Sequence, residues 1–221
     1  MDDRRRRRPL SVRAPQIVSE PDVSDVHKRA IERALRWAWR EVGQRWPEIV
    51  NGGTEEQITV KMHRVLNEQT ANRRRAAPGL HSFETVARGA KVESVDGRIE
   101  LMPDLVFRPP TPPDARNRSD WGYFVECKII DGTKSVGLYC KQGVARFTNG
   151  EYAAWMPSGA LLAYVRDGSR PFATLQPRLA ASFSTRSHAP RVADASISVH
   201  GRATLPVPCV DIALLHLWLC V

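Results

Sequence analysis

The sequence has no Cys-x-x-Cys pair, no histidines at metal-ligand spacing and no apolar run long enough to span a bilayer. Its four cysteines (Cys127, Cys140, Cys209 and Cys220) are far apart, which argues against a structural zinc site and for free thiols in a reducing, cytoplasmic setting. The arginine run at residues 4–8 is not followed by an apolar secretory core, and the closing apolar run at 212–219 is too short to cross a membrane. A Gly-x-x-x-x-Gly-Lys phosphate loop, a Gly-x-Gly-x-x-Gly fingerprint and a Gly-x-Ser-x-Gly elbow are all missing. Nucleotide-loop, dinucleotide and serine-hydrolase chemistry therefore find no support. There is no internal repeat, helix-turn-helix or zinc finger.

What remains is a basic chain of 221 residues with formal charge +9 and pI near 9.9. Residues 1–13 hold six arginines against two aspartates, so the rest carries +5 and is basic in its own right. Such a surface attracts polyanions, nucleic acid first among them, although many basic proteins bind none. The length suits one domain at 23–221 behind a basic, disordered tail at 1–22, which could grip phosphates or simply be solvated.

In residues 24–47, Ile31, Leu35, Ala38, Val42 and Trp46 recur at helical spacing, with Arg29, Arg33, Arg36 and Arg40 on the other side. Trp37 on this helix packs in the core or, if exposed, stacks a base. Thr54-Glu55-Glu56-Gln57 has capping-box spacing and opens a second helix whose buried stripe is Ile58, Met62, Val65 and Leu66. Glu55 shares that inward face and Glu56 is rotated off it. Arg73, Arg74 and Arg75 close the helix. Strands are expected at 82–88, 91–95 and 98–107, with Asp96-Gly97 as a hairpin turn. A proline-rich loop at 108–119 precedes a strand at 123–130, a helix at 135–149 and a strand at 160–165. The core thus spans 54–165, and 166–221 is an extension with a helix at 173–183, a strand at 195–200 and an apolar segment at 210–219. The expected class is α/β with a mixed sheet.

The most informative residues are Pro103-Asp104, in the run Leu101-Met102-Pro103-Asp104-Leu105-Val106-Phe107, and Glu126-Cys127-Lys128, in Tyr123-Phe124-Val125-Glu126-Cys127-Lys128-Ile129-Ile130. Unpaired buried charge costs several kcal/mol, so these groups demand partners. Period-two alternation puts Glu126 and Lys128 on one strand face, where Asp104 on a neighbouring strand can join them. Two hard carboxylates plus a backbone carbonyl form a magnesium-type donor set. In the following helix, Tyr139, Gln142 and Arg146 are spaced to share one face, with Lys141 rotated away.

An Asp after Pro on one strand and Glu-x-Lys on the next resembles the PD-(D/E)xK nuclease superfamily. The resemblance covers roughly residues 54–165 and implies a restriction-endonuclease-like α-β-β-β-α-β core. It further implies a Mg2+-dependent nuclease, with Mn2+ able to substitute, acting on DNA in a setting such as bacterial defence or restriction. Asp104, Glu126 and the Cys127 carbonyl would bind metal, with Glu55 from the preceding helix completing the set. Lys128 would orient the attacking water, and Gln142 would lie near the metal or phosphate. Tyr139, Lys141, Arg146, Arg73, Arg74 and Arg75 would contact nucleic acid. Possible partners are a second copy or other defence proteins, with no membrane. The alternative is a nuclease-like fold that binds DNA, or serves in an assembly, without catalysis of its own; a third possibility is an interaction protein working through its basic tail.

Overall fold

A computed structural model describes residues 19–71, 79–89, 94, 96–97, 101–115, 117–118 and 120–220. Helix α1 (Asp25–Arg45) starts where the Ser24 hydroxyl caps the His27 N–H, and its stripe Ile31, Leu35, Ala38 and Val42 is fully buried. A short α2 (Pro47–Gly52) leads to α3 (Glu55–Ala71). The capping box forms as expected: the Thr54 N–H donates to the Gln57 side chain at 2.8 Å, and the Gln57 N–H donates to Thr54 Oγ1 at 3.2 Å. Thr54→Ala is expected to lower stability by about 1 kcal/mol in urea denaturation, without a change in the slope of the transition.

Among the described residues, seven strands form one mixed sheet in the order β1-β2-β3-β4-β7-β6-β5. They are β1 (Thr85–Ala87), β2 (Leu105–Arg108), β3 (Tyr123–Ile130), β4 (Ser158–Val165), β5 (Thr185–Val192), β6 (Ala195–Gly201) and β7 (Asp211–Cys220). β1, β2 and β3 pair antiparallel; β3, β4 and β7 run parallel; β7, β6 and β5 are antiparallel again. Between β3 and β4 lie α4 (Val136–Tyr139), a π-helical turn (Cys140–Val144) and α5 (Ala145–Thr148); α6 (Leu175–Ser182) precedes β5. Among the described elements the order of helices and strands from α3 to β4 is α-β-β-β-α-β.

Alternation along the strands decides what covers each face. Tyr164 stacks on Trp39 of α1 at 5.3 Å and bonds Thr59 of α3, so one face lies under α1 and α3. Tyr139 meets His216 and Trp218 on the other face, which α4 and α5 cover. Gly159 lets the Phe147 ring close onto that face, since a Cβ there would lie 2.6 Å from the ring. The fully buried Arg202 holds the loops below, donating to the carbonyls of Cys209, Ala153 and Met156.

Several boundaries differ from the sequence expectation. Residues 19–22 belong to the body rather than to a tail. Glu20 is buried and accepts from the Asn117 N–H, Pro21 accepts from Trp121, and Asp22 accepts from Ser158. The 166–221 segment is no appendage, because β7 lies beside β4 at the centre of the sheet. Of the expected strand at 98–107, residues 98–100 lie outside the described residues, Leu101 is an isolated bridge position, and β2 begins at Leu105 with Asp104 in the bend before it. The arginine run at 4–8, the strand expected at 91–95 and Arg73, Arg74 and Arg75 lie outside the described residues, apart from Ser94. No described helix is long and apolar enough to cross a membrane.

Candidate active site

Strand β2 pairs with β3 only from Leu105 onward, opposite Val125. Before Leu105 the chain bends away, while β3 continues to Ile130 with β4 on its other side. The β3 backbone groups at Cys127 and Ile129 that face the vacated side thus have no strand to meet, and buried peptide groups need partners. Charged side chains take them instead. Asp104 Oδ2 accepts from the Cys127 N–H at 2.8 Å, and Glu55 Oε2 accepts from the Ile129 N–H at 3.1 Å. The Lys128 ammonium donates to the Cys127 carbonyl at 2.8 Å.

The same ammonium donates to Glu126 Oε1 at 2.7 Å and to Glu55 Oε1 at 2.9 Å. Arg146 reaches in from α5, 3.3 Å from Glu126 Oε1. Glu126 is 1% exposed, and its second oxygen, Oε2, is buried without a hydrogen-bond partner among the described residues. That is an unusual state for a carboxylate oxygen.

The electrostatics derive from burial. Desolvation raises the Asp104 pKa, against the pull of Lys128 and the Cys127 N–H. Glu126 is pushed up to about 8, by burial first and by the Asp104 charge second, with Lys128 and Arg146 opposing. Lys128 is raised despite its own burial, because Glu126 and Glu55 hold it as a cation. These shifts describe one cluster: the lysine stays charged, and the buried carboxylates compete for too little positive charge.

The structure brings together Asp104, Glu126, the Cys127 carbonyl, Lys128, Glu55 and Arg146, and it separates others. Glu55, expected to complete a metal set, does lie at the cluster, where its oxygens accept from Lys128 and the Ile129 N–H. Among the described residues no three His, Cys, Asp or Glu side chains are gathered closely enough to hold an ion by themselves. Tyr139, expected to face nucleic acid, is buried and bonds His216 at 2.8 Å. Gln142 and Lys141 are exposed on the covering helix and join no contact of the cluster.

The π turn at Cys140–Val144 explains why the expected shared face fails. One extra residue in a helical turn rotates the downstream side chains by roughly 100°. Tyr139 and Arg146 therefore part company, and Arg146 arrives at Glu126. Gly143 lies inside this turn, where a Cβ would sit 2.7 Å from Leu161 and 3.7 Å from Lys128, so the helix rests directly on the site.

Tyr152 was missed from sequence. Its hydroxyl accepts from Arg146 and donates to the Met102 carbonyl, and its ring lies 5.2 Å from the guanidinium. It stands in a loop after α5, where no periodicity could have picked it out. No family model, curated protein or solved structure matches the chain.

Proposed function

We propose that this chain is a metal-dependent nuclease of PD-(D/E)xK type, with a restriction-endonuclease-like core, that hydrolyses DNA phosphodiester bonds. The observation that carries the reading is Glu126 Oε2, buried and unpartnered beside Asp104, Lys128 and the Cys127 carbonyl. An oxygen-only set short of positive charge suits magnesium, which binds through one or two carboxylates and keeps several waters. Two side chains and a carbonyl are enough for that ion, so a triad of acids is not required.

Asp104, Glu126 and the Cys127 carbonyl would hold the Mg2+, or Mn2+ in its place. Bound there, the ion would supply Lewis-acid stabilisation of the phosphoryl oxygens and a water of lowered pKa. In the metal-free site Glu126 and Glu55 hold Lys128 as a cation. Its three N–H donors go to Glu126, Glu55 and the Cys127 carbonyl; an ion on Glu126 and that carbonyl would free donors to orient the attacking water and to meet the charge that develops on phosphorus oxygens. Glu55 restrains the lysine from the far side, and Arg146 restrains Glu126. Lys141 and Gln142, exposed on the same covering helix, suit contact with the DNA backbone. All four thiols are unpaired, in keeping with work in a reducing cytoplasm, with bacterial defence or restriction as the setting.

The test is plasmid cleavage by the full chain with magnesium, with manganese and with excess chelator. Nicking or linearisation that requires the metal is expected. Salt-sensitive DNA binding with no metal-dependent cleavage would instead favour a binding or assembly subunit built on the same fold.

A further inference from the structure

Two carboxylates stand at the candidate metal site, and the supports of both lead back to one hydroxyl, that of Tyr152. This residue is 1% exposed, in the loop between α5 and β4, with its ring packed edge-on against Phe147. A guanidinium can only donate hydrogen bonds, so the hydroxyl accepts from Arg146 and must aim its own proton elsewhere. That proton goes to the Met102 carbonyl at 3.1 Å. The direction of both bonds is thereby fixed, and a phenylalanine could make neither.

The first branch ends at Glu126. Arg146 Nη1 is the nitrogen bonded to Tyr152, and it is also the one 3.3 Å from Glu126 Oε1. The Arg146 side chain is partly exposed and rich in rotamers, so holding it at Glu126 needs an anchor. The second branch ends at Asp104. The Met102 carbonyl belongs to the Met102–Pro103 peptide, and the ring of the buried Pro103 fixes its own φ at about −65°. Holding that carbonyl therefore sets how Asp104 enters the bend from which it reaches the Cys127 N–H. The loop carrying Tyr152 is itself held firmly. Its N–H donates to the Arg146 carbonyl at 3.1 Å, and the carbonyl of the next residue, Ala153, accepts from the buried Arg202 at 3.0 Å. Ala153 has φ 50°, a left-handed conformation that a residue with a Cβ keeps only where its surroundings over-determine it.

We infer that Tyr152 is a positioning residue, whose hydroxyl locks Glu126 and Asp104 in place relative to one another through Arg146 and the Met102 carbonyl. The inference rests on the metal-dependent reading above. Tyr152 bonds neither carboxylate, so removing its hydroxyl leaves both ligands and their charges present and loosens only their mutual placement. Metal affinity, rather than the chemical step, is what such a support controls, and partners of this kind typically contribute about 10–100-fold. At saturating metal the two carboxylates are held by what they bind, and cleavage recovers.

The experiment titrates the full chain and its Tyr152→Phe variant with Mg2+ by calorimetry and with Mn2+ by electron paramagnetic resonance, and follows plasmid cleavage across magnesium concentration. The metal dissociation constant is expected to rise about 10–100-fold in Tyr152→Phe, and the magnesium needed for half-maximal cleavage rises with it. The rate at saturating magnesium stays within about threefold of the parent. A merely structural defect would lower that maximal rate instead, and added metal would not rescue it. Arg146→Lys keeps the charge but loses the planar fork, and on a partly exposed side chain it keeps the fold even if Tyr152→Phe does not. It should weaken metal binding in the same range. Metal affinity within about threefold of the parent in the folded variants, or a lost maximal rate at unchanged affinity, overturns the proposal. Asp104→Asn is the reference. Metal that is bound by the parent, lost in Asp104→Asn and bound equally by Tyr152→Phe ends this proposal and leaves the nuclease reading standing; a parent that binds no metal ends both.

Discussion

Asp104→Asn is expected to abolish metal-dependent DNA cleavage, by on the order of a thousandfold, while leaving the protein folded and as stable as the parent. The two halves of that expectation rest on different atoms. Asp104 Oδ2 accepts the Cys127 N–H at 2.8 Å, and an asparagine amide oxygen can accept the same bond, so the bend before β2 keeps its anchor. What disappears is one negative charge from a site where burial already disfavours it. Removing it also relieves Glu126, whose pKa Asp104 helps to raise. A melting temperature equal to or above that of the parent therefore accompanies loss of the metal site. Plasmid cleavage, thermal melting and magnesium titration on the same preparation check all three parts. Cleavage retained within about tenfold of the parent would remove Asp104 from the chemistry.

Much of this geometry was legible in the sequence, for physical reasons that differ element by element. The α1 stripe through Val42, the α3 stripe and the Thr54 capping box are local signals that formed where spacing put them, while Trp46 falls just past the end of α1. The expectation that Glu55 faces inward and Glu56 outward comes from helical rotation alone; Glu56 is exposed and pairs with Arg88. Convergence of Asp104 with Glu126 needed antiparallel β2–β3 pairing, which the Leu105↔Val125 register provides. Other features depend on information that is not local. The π turn has no composition signature, so the expected common face of Tyr139, Gln142 and Arg146 did not survive it. β5 carries Pro190 and is largely exposed, which hides its strand character at the sheet edge. The central place of β7 is decided by pairing with β4, a partner some fifty residues away, rather than by anything within its own apolar run.

Lys128→Met is expected to destabilise the metal-free protein by an amount that grows with pH, and the growth separates an electrostatic role from a packing one. At pH 6 the loss is that of the ammonium's hydrogen bonds: the Cys127 carbonyl is left bare, at about 1–3 kcal/mol, while Glu55 still caps the Ile129 N–H. Glu126 adds less there than at higher pH, because burial and Asp104 favour its neutral form. The sign of its linkage is fixed by that upward shift. A carboxyl with a folded pKa above its unfolded value of 4.5 holds a proton that the unfolded chain releases. Its contribution to stability therefore falls as pH rises from 4.5 to about 8, by up to ~1.4 kcal/mol per unit, and levels off once the folded form ionises as well. Lys128 lowers that upper limit; its removal leaves Arg146, at 3.3 Å, as the cation beside Glu126. The window of decline then extends to higher pH in the variant. The stability gap should widen above pH 8 toward the ~3–5 kcal/mol typical of breaking a buried ion pair. Urea denaturation of both proteins from pH 6 to pH 9.5 measures it. A gap that stays constant over this range would mean that Lys128 supports the fold through its bond to the Cys127 carbonyl and its packing, and that Glu126 does not share its charge.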